Sequence, residues 1–496
     1  MGTWDVAVEL GGGDLPMFRR IAATIAGDIE RGRLRKGAKL ASSRALAQTL
    51  GVSRTTVVAA YDELCAGGWI AIEAARGAFI VGVPAAGADA GGFARAAGFD
   101  LPAALPVDQP APRDANMLLL LGGVPELRDL PYHALARAYR SALLGRSARR
   151  LVDYAHPQGN ARLREAVGEI LGHVRGVAAP ASAITIVRGS KHGLYLAARA
   201  LVRPGELIAV EQLGYRPAWQ ALELAGAVLA PIPVDRDGLD VDALDRLCRT
   251  RPVRAVYLTP HRQCPTTVTL SSERRARLLA LARARRMIIL EDDHDFEFTY
   301  EGGPTLPLAA GDRAGVVVYF GTLSRLLAPG LRVGYVVASP DVSSRIAAYR
   351  SLSDGQGDHA LEHAVALLLE DGEVQRHVRR TLRDYRARRD VLCRALRERL
   401  PALEVDVPSG GMALWARMPG VDTAAWVQRG RAHGVAFQAG AQFSFDDGAR
   451  DYARIGFATC SEPELIEAVD RMVRALPVTG SAPRAVPRDP PRPSHR

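Results

Sequence analysis

Between two apolar, strand-like runs at 316–320 and 335–338 stands Gly321-Thr322-Leu323-Ser324-Arg325-Leu326-Leu327-Ala328-Pro329-Gly330-Leu331-Arg332-Val333-Gly334. Glycines, small hydroxyls and two arginines in such a turn suit an anion. Hydroxyls and backbone amides can wrap it, and a guanidinium offers paired donors that match phosphate geometry. A second anion seat is spelled by Gly189-Ser190-Lys191-His192-Gly193, which follows a strand-like run and opens a helix. Free amides and the positive end of the helix dipole meet there. A third run, 287–290, ends in the acids of Glu291-Asp292-Asp293-His294-Asp295-Phe296-Glu297. Nucleophilic amines are scarce: the only lysines are Lys36, Lys39 and Lys191. An arginine keeps its proton and cannot take the part of an amine that attacks a carbonyl.

These motifs need strand ends to hold them, and the sequence from 116 to 374 supplies such ends. Apolar runs at 184–187, 207–210, 255–258, 287–290, 316–320 and 335–338 alternate with amphipathic, helix-periodic segments. Such alternation predicts an α/β sheet, mainly parallel and covered on both faces, with ligands gathered at the carboxyl ends of its strands. From about 378 an Arg-rich helix leads into a smaller α+β unit with strands at 403–407, 412–416 and 453–457. Ahead of the sheet, residues 83–115 are rich in alanine, glycine and proline without periodicity, which reads as a flexible linker. The last twenty residues, 477–496, are Pro/Arg-rich and read as a disordered tail.

The N-terminal part, 14–82, follows a different pattern. Phe18, Ile21, Ile25 and Ile29 recur at helical spacing over 17–30. Next come Ser42-Ser43-Arg44-Ala45-Leu46 and Leu50-Gly51-Val52-Ser53-Arg54-Thr55-Thr56-Val57, two short helices opened by serine caps and joined at a glycine turn. This is helix-turn-helix spacing, and Ser43, Arg44, Ser53, Arg54, Thr55 and Thr56 could reach phosphates or base edges. Runs at 69–73 and 78–81 around Arg76-Gly77 predict a two-stranded wing. Ten Arg/Lys face six Asp/Glu between residues 14 and 82, and the whole chain of 496 residues carries a net charge of +10. Both favour a polyanionic partner.

Composition excludes several classes. With 48% hydrophobic residues the chain can bury a large core. No run reaches the roughly 18 apolar residues of a membrane span, and residues 1–10 do not read as a signal peptide, so the expected location is the cytoplasm. Five scattered cysteines, with no Cys-x-x-Cys pair, suggest neither a disulfide framework nor a zinc site.

The head closely resembles the winged helix of GntR-type transcription regulators, with Ala41 where their pattern usually has proline. From about residue 14 to 475 the order of motifs resembles the MocR/GabR type, in which such a head is fused to a body shaped like a fold-type I aminotransferase that uses pyridoxal 5'-phosphate (PLP). The resemblance implies a winged head at 14–82, a large domain at 116–377, a small subdomain at 378–476 and a homodimer on double-stranded operator DNA. Tyr154-Ala155-His156-Pro157-Gln158-Gly159 with Leu163-Arg164 matches the motif preceding the sheet. By the same resemblance Gly189, Ser190, Lys191, Thr322, Ser324 and Arg332 surround the cofactor phosphate, and Tyr215 stacks on the pyridine ring. Asp292 pairs with the ring nitrogen, and Arg454 clamps the carboxylate of an amino-acid-like ligand. Three positions depart from the pattern. Arg325 stands where the family's Schiff-base lysine belongs, His294 replaces a tyrosine that contacts the ring hydroxyl, and Thr267 replaces the glycine of a Pro-Thr-Gly turn.

The missing amine points to a regulator whose body senses a small molecule, PLP held without a covalent link or a carboxylate, and does not transaminate. Two other functions stay open: a PLP-dependent aminotransferase with an attached DNA-binding domain, and a DNA-binding protein whose body is only a dimerisation scaffold.

Overall fold

The computed structural model describes residues 15–74, 76–82, 97, 99–101, 116–303, 305–446 and 448–477. The expected linker and tail therefore lie outside the described residues, apart from 97, 99–101 and 477. The chain divides into two compact units, Met1–Ala111 and Pro112–Arg496.

In the first unit, helix Met17–Glu30 buries Ile21, Ile25 and Ile29, residues four apart on one face. They pack on Leu46, Val57, Tyr61 and Leu64 from two shorter helices, Ser43–Leu50 and Arg54–Ala66. The side chains of Ser42 and Ser53 cap these two helices by accepting from the amides of Ala45 and Thr56. Gly51 ends the first of them in the left-handed region at φ 63°, which gives the sharp turn between the pair. The wing is an antiparallel ribbon of Ile70–Glu73 and Gly77–Ile80, with Ile70 opposite Ile80 and Glu73 opposite Gly77.

In the second unit a seven-stranded sheet runs in the order Ile184–Val187, Gly334–Val337, Val317–Thr322, Ile288–Asp292, Val253–Leu258, Leu207–Glu211, Val228–Ile232. Only Gly334–Val337 pairs antiparallel with its neighbours. Strands such as Ile184–Val187 and Leu207–Glu211 are buried at every residue, as expected of a sheet covered on both faces. One face packs on a core that includes Val167, Leu278 and Leu368, the other on a core that includes Leu196, Trp219 and Ile346. Gly334 lets its strand pass close to the turn before helix Ser190–Leu201: a Cβ there would lie 2.9 Å from the Gly189 Cα. That approach brings the turn at 189–193 and the loop at 321–334 together at one edge of the sheet.

The division expected at 377/378 falls inside one continuous helix, Glu373–Arg399. Beyond it, strands Glu404–Val405, Ala413–Arg417, Tyr452–Gly456 and Gln438–Ala439 form a second sheet, order as written, backed by helix Glu462–Arg474. No helix of the described residues is long and apolar enough to cross a membrane.

Candidate functional site

Because the strands other than Gly334–Val337 share one direction, their carboxyl ends line one edge of the sheet, and the acids and hydroxyls of the sequence motifs stand along it. Asp292 closes strand Ile288–Asp292 beside Phe320 of the next strand. It is buried, and the Tyr257 hydroxyl donates to its Oδ2 at 3.0 Å while its Oδ1 has no partner. Burial pushes this carboxyl up to about 6. An orphaned buried acceptor of this kind calls for a donor, ideally a cationic one.

Next in the chain, His294 is buried, and burial together with the Arg325 guanidinium lowers its imidazole to about 3. It is therefore neutral at pH 7, with Nε2 3.7 Å from Asp295 Oδ2. Arg262 is the principal partner of Asp295, at 3.2 Å to Oδ1 and 2.7 Å to the backbone oxygen, and also donates to Thr299 Oγ1. Arg325 stands farther off, its Nη1 3.6 Å from Asp295 Oδ2. Burial alone would raise the Asp295 carboxyl, but His294, Arg262 and Arg325 hold it below the ordinary carboxylate range. Arg325 Nη1 is itself buried without a hydrogen-bond acceptor.

At the phosphate-like end, helix Ser190–Leu201 presents its N-terminus behind Gly189, whose φ of 79° is open to glycine. Arg332 reaches this turn, donating to the Arg188 carbonyl at 2.9 Å from a left-handed backbone at φ 53°. A non-glycine residue in that region costs on the order of 1 kcal/mol or more, the kind of strain that collects at ligand sites. Thr322 Oγ1 accepts from the Ser324 amide at 3.1 Å, and the buried Ser324 Oγ has no partner. Lys191 is exposed. Tyr215, just before helix Arg216–Leu224, keeps 41% of its surface open. Burial of its hydroxyl raises its pKa, and the charges of Arg325, Asp292 and Arg332 act on it.

Thr267 also adopts the left-handed region, φ 66°, and its amide donates to the Gln263 carbonyl at 2.7 Å. The turn thus holds a β-branched residue in a backbone region that favours glycine. Arg454, on strand Tyr452–Gly456, is buried, with its guanidinium 5.7 Å from the Phe443 ring centre and its Nε without an acceptor. Among the described residues it has no carboxylate partner. Together these groups can seat an anion at the helix end, a protonated nitrogen at Asp292 and a carboxylate at Arg454. Among the described residues no cluster of His, Cys, Asp or Glu is arranged to hold a metal ion. A largely apolar cavity of about 400 Å³, lined by Leu171, Phe296, Leu323 and Leu326, lies beneath the Arg325 loop and lacks these donors.

Tyr257, Arg262, Gly122 and Gly123 also sit at this edge and were not singled out as site residues from the sequence, whereas Asp295 belongs to the acidic run noted there. Glu211, at its strand end, accepts from the Thr259 amide and hydroxyl at 3.1 and 2.9 Å and is pushed up to about 7 by burial.

In the head, Arg44, Ser53, Arg54, Thr55 and Arg76 are exposed. Arg54 Nε donates to Ser43 Oγ at 3.4 Å across the turn, and the Ser53 hydroxyl lies 2.7 Å from those of Thr55 and Thr56. Arg76 pairs with Glu73 and lies over the Phe79 ring, next to Gly77 at φ 112°.

Residues 123–472 match the family model of class I and II aminotransferases, and residues 18–80 match that of the bacterial regulatory proteins of the gntR family. The probable rhizopine catabolism regulatory protein MocR of Rhizobium meliloti is 30% identical, over 93% of this chain and 94% of its own. The HTH-type transcriptional regulator TauR of Rhodobacter capsulatus is 33% identical, over 94% and 97%. Among solved structures, the Pyrococcus horikoshii kynurenine aminotransferase superposes with a TM-score of 0.68 at 28% identity, over 73% of this chain and 91% of that one.

Proposed function

The chain belongs to the class I and II aminotransferase family and, with its gntR-family head, is a transcription regulator of the MocR/TauR type; from that premise we propose that its body binds and reports a small molecule and leaves amino-group transfer to others. The observation that carries this reading is Arg325. It stands beside Asp292, His294 and Asp295, where the family resemblance puts the lysine, and the one lysine of the second unit, Lys191, is exposed. Arg325 can neither form the covalent link nor release and recover a proton near neutral pH.

The aminotransferase fold family is PLP-dependent, and the residues present suit two ends of that cofactor. The orphaned Asp292 Oδ1 fits the ring nitrogen, and Ser190, Ser324, Thr322 and Arg332 at the helix end fit the phosphate. Bound there, PLP would supply an electron-withdrawing ring and an aldehyde. Tyr215 would cover the ring, Asp292 would hold the proton on its nitrogen, and neutral His294 would face the ring oxygen. Arg454 would take the carboxylate of an amino-acid-like effector through paired donors. The chain would act as a homodimer in the cytoplasm, its head on double-stranded operator DNA through Arg44, Arg54 and the wing. The effector shifts operator binding only by its preference for one of two states of the dimer.

The test begins by selecting genomic fragments that the full-length protein retains, then measures their mobility shift with amino acids and B6 vitamers added. The expected result is that a carboxylate ligand or PLP changes operator affinity while no amino group reaches a keto acid. Sustained transamination by the purified protein would defeat the reading.

A further inference from the structure

Arg454 and Arg325 come from different parts of the chain, yet both guanidinium groups rest on one dipeptide, Gly122-Gly123. A Cβ on Gly122 would lie 2.6 Å from the Arg454 Cζ, and one on Gly123 would lie 3.1 Å from the Arg325 Cζ. Adjacent Cα atoms are ~3.8 Å apart, so the two cations are within roughly 13 Å of each other. The Gly122 amide is held by Gln438 Oε1 at 3.2 Å, and Gln438 lies opposite Arg454 in the small sheet, which fixes the dipeptide against that arginine.

The charges at this point do not balance. Arg454 has no carboxylate among the described residues, and its Nε is orphaned. The nearest acid to Arg325, Asp295, is already committed to Arg262 through side chain and backbone. Arg325 Nη1 is orphaned as well. Buried donors in two cations left without acceptors are costly, and a ligand that brings acceptors to both relieves the cost.

Resting on the proposed sensing role of this cleft, we infer that the effector is a short diacid: one carboxylate on Arg454 and a second on Arg325. The substitution that removes the amine thereby supplies a second anion clamp, and the body selects for two acidic groups on one ligand. A competing account leaves Arg325 satisfied by Asp295 alone and indifferent to the ligand.

Isothermal calorimetry on the full-length protein, dialysed free of B6, with glutarate and with valerate as matched diacid and monoacid, separates the two. Glutarate is expected to bind about tenfold or more tighter than valerate, the worth of a hydrogen bond to a charged group. Arg325→Gln should erase that difference, and Arg454→Gln should weaken both ligands. Arg325→Met serves as the second variant if the glutamine variant does not fold. Equal affinities in the parent protein, or a preference for glutarate that survives both Arg325 variants, would overturn the inference while leaving the carboxylate-sensing role in place. Failure of both acids to bind the parent protein would overturn the inference and the carboxylate role together.

Discussion

Replacing Asp292 by asparagine should stabilise the ligand-free body at neutral pH and at the same time cost it the ability to be stabilised by PLP. Asp292 is only 7% exposed and carries an ordinary hydrogen bond from Tyr257, yet burial lifts it from 3.8 to about 6. A carboxyl whose folded pKa is raised binds its proton more tightly folded than unfolded, so stability falls as pH climbs through that window. Below about pH 4 both states are protonated and nothing is lost; above about pH 6 the loss is complete. A rise from 3.8 to about 6 bounds that loss at roughly 3 kcal/mol. Asparagine keeps an acceptor for Tyr257 but leaves an amide donor unpaired, which costs on the order of 1 kcal/mol. A net gain of about 1 to 2 kcal/mol above pH 6 remains. Thermal melts of both proteins from pH 4 to 8, with and without PLP, make the comparison. The variant should melt higher than the parent only above about pH 5, and added PLP should raise the parent alone. A variant no more stable than the parent at pH 8, or one still stabilised by PLP, would refute the reasoning about the orphaned oxygen.

Other outcomes follow from the same geometry. Arg44→Ala and Arg54→Ala should each abolish specific operator binding in a mobility-shift assay without altering the melting of the body, since a base-edge contact is worth about 1 to 3 kcal/mol. Ser53→Ala should lower the stability of the head by about 1 kcal/mol, because it removes the cap on helix Arg54–Ala66; circular dichroism melts report it. Arg325→Lys places a primary amine at the position where the family resemblance puts the Schiff-base lysine, beside the neutral His294. Borohydride should then fix PLP to position 325, detectable by peptide mass.

Much of this architecture is legible in residue patterns because burial and periodicity agree there. Helix Met17–Glu30 and strand Ile184–Val187 have the bounds their apolar spacing predicts. The strand expected at 316–320 continues through Gly321 and Thr322, which read as loop by type. The Tyr335 ring fills the space over Gly321 and keeps it paired in the sheet. Edge strand Val228–Ile232 was missed, since Pro231 interrupts its run and an edge strand tolerates proline. A five-residue π-helical turn, Leu171–Arg175, has no signature in the sequence. At the site, the acidic strand end singled out Asp292, and the family resemblance pointed to Arg325 and Arg454. Their partners come from distant segments: Tyr257 lies 35 residues from Asp292 in the chain. The glycine pair that gathers the two arginines precedes Arg325 by some two hundred residues, a proximity only the fold creates.

On the proposed function, this body holds its ligand without an amine. The most direct measurement incubates the parent protein with PLP, reduces it with borohydride and maps peptides spanning Lys36, Lys39 and Lys191 by mass. The expected result is an unmodified Lys191 and a cofactor that dialysis removes. A phosphopyridoxyl group on Lys191, formed in stoichiometric yield, would contradict it.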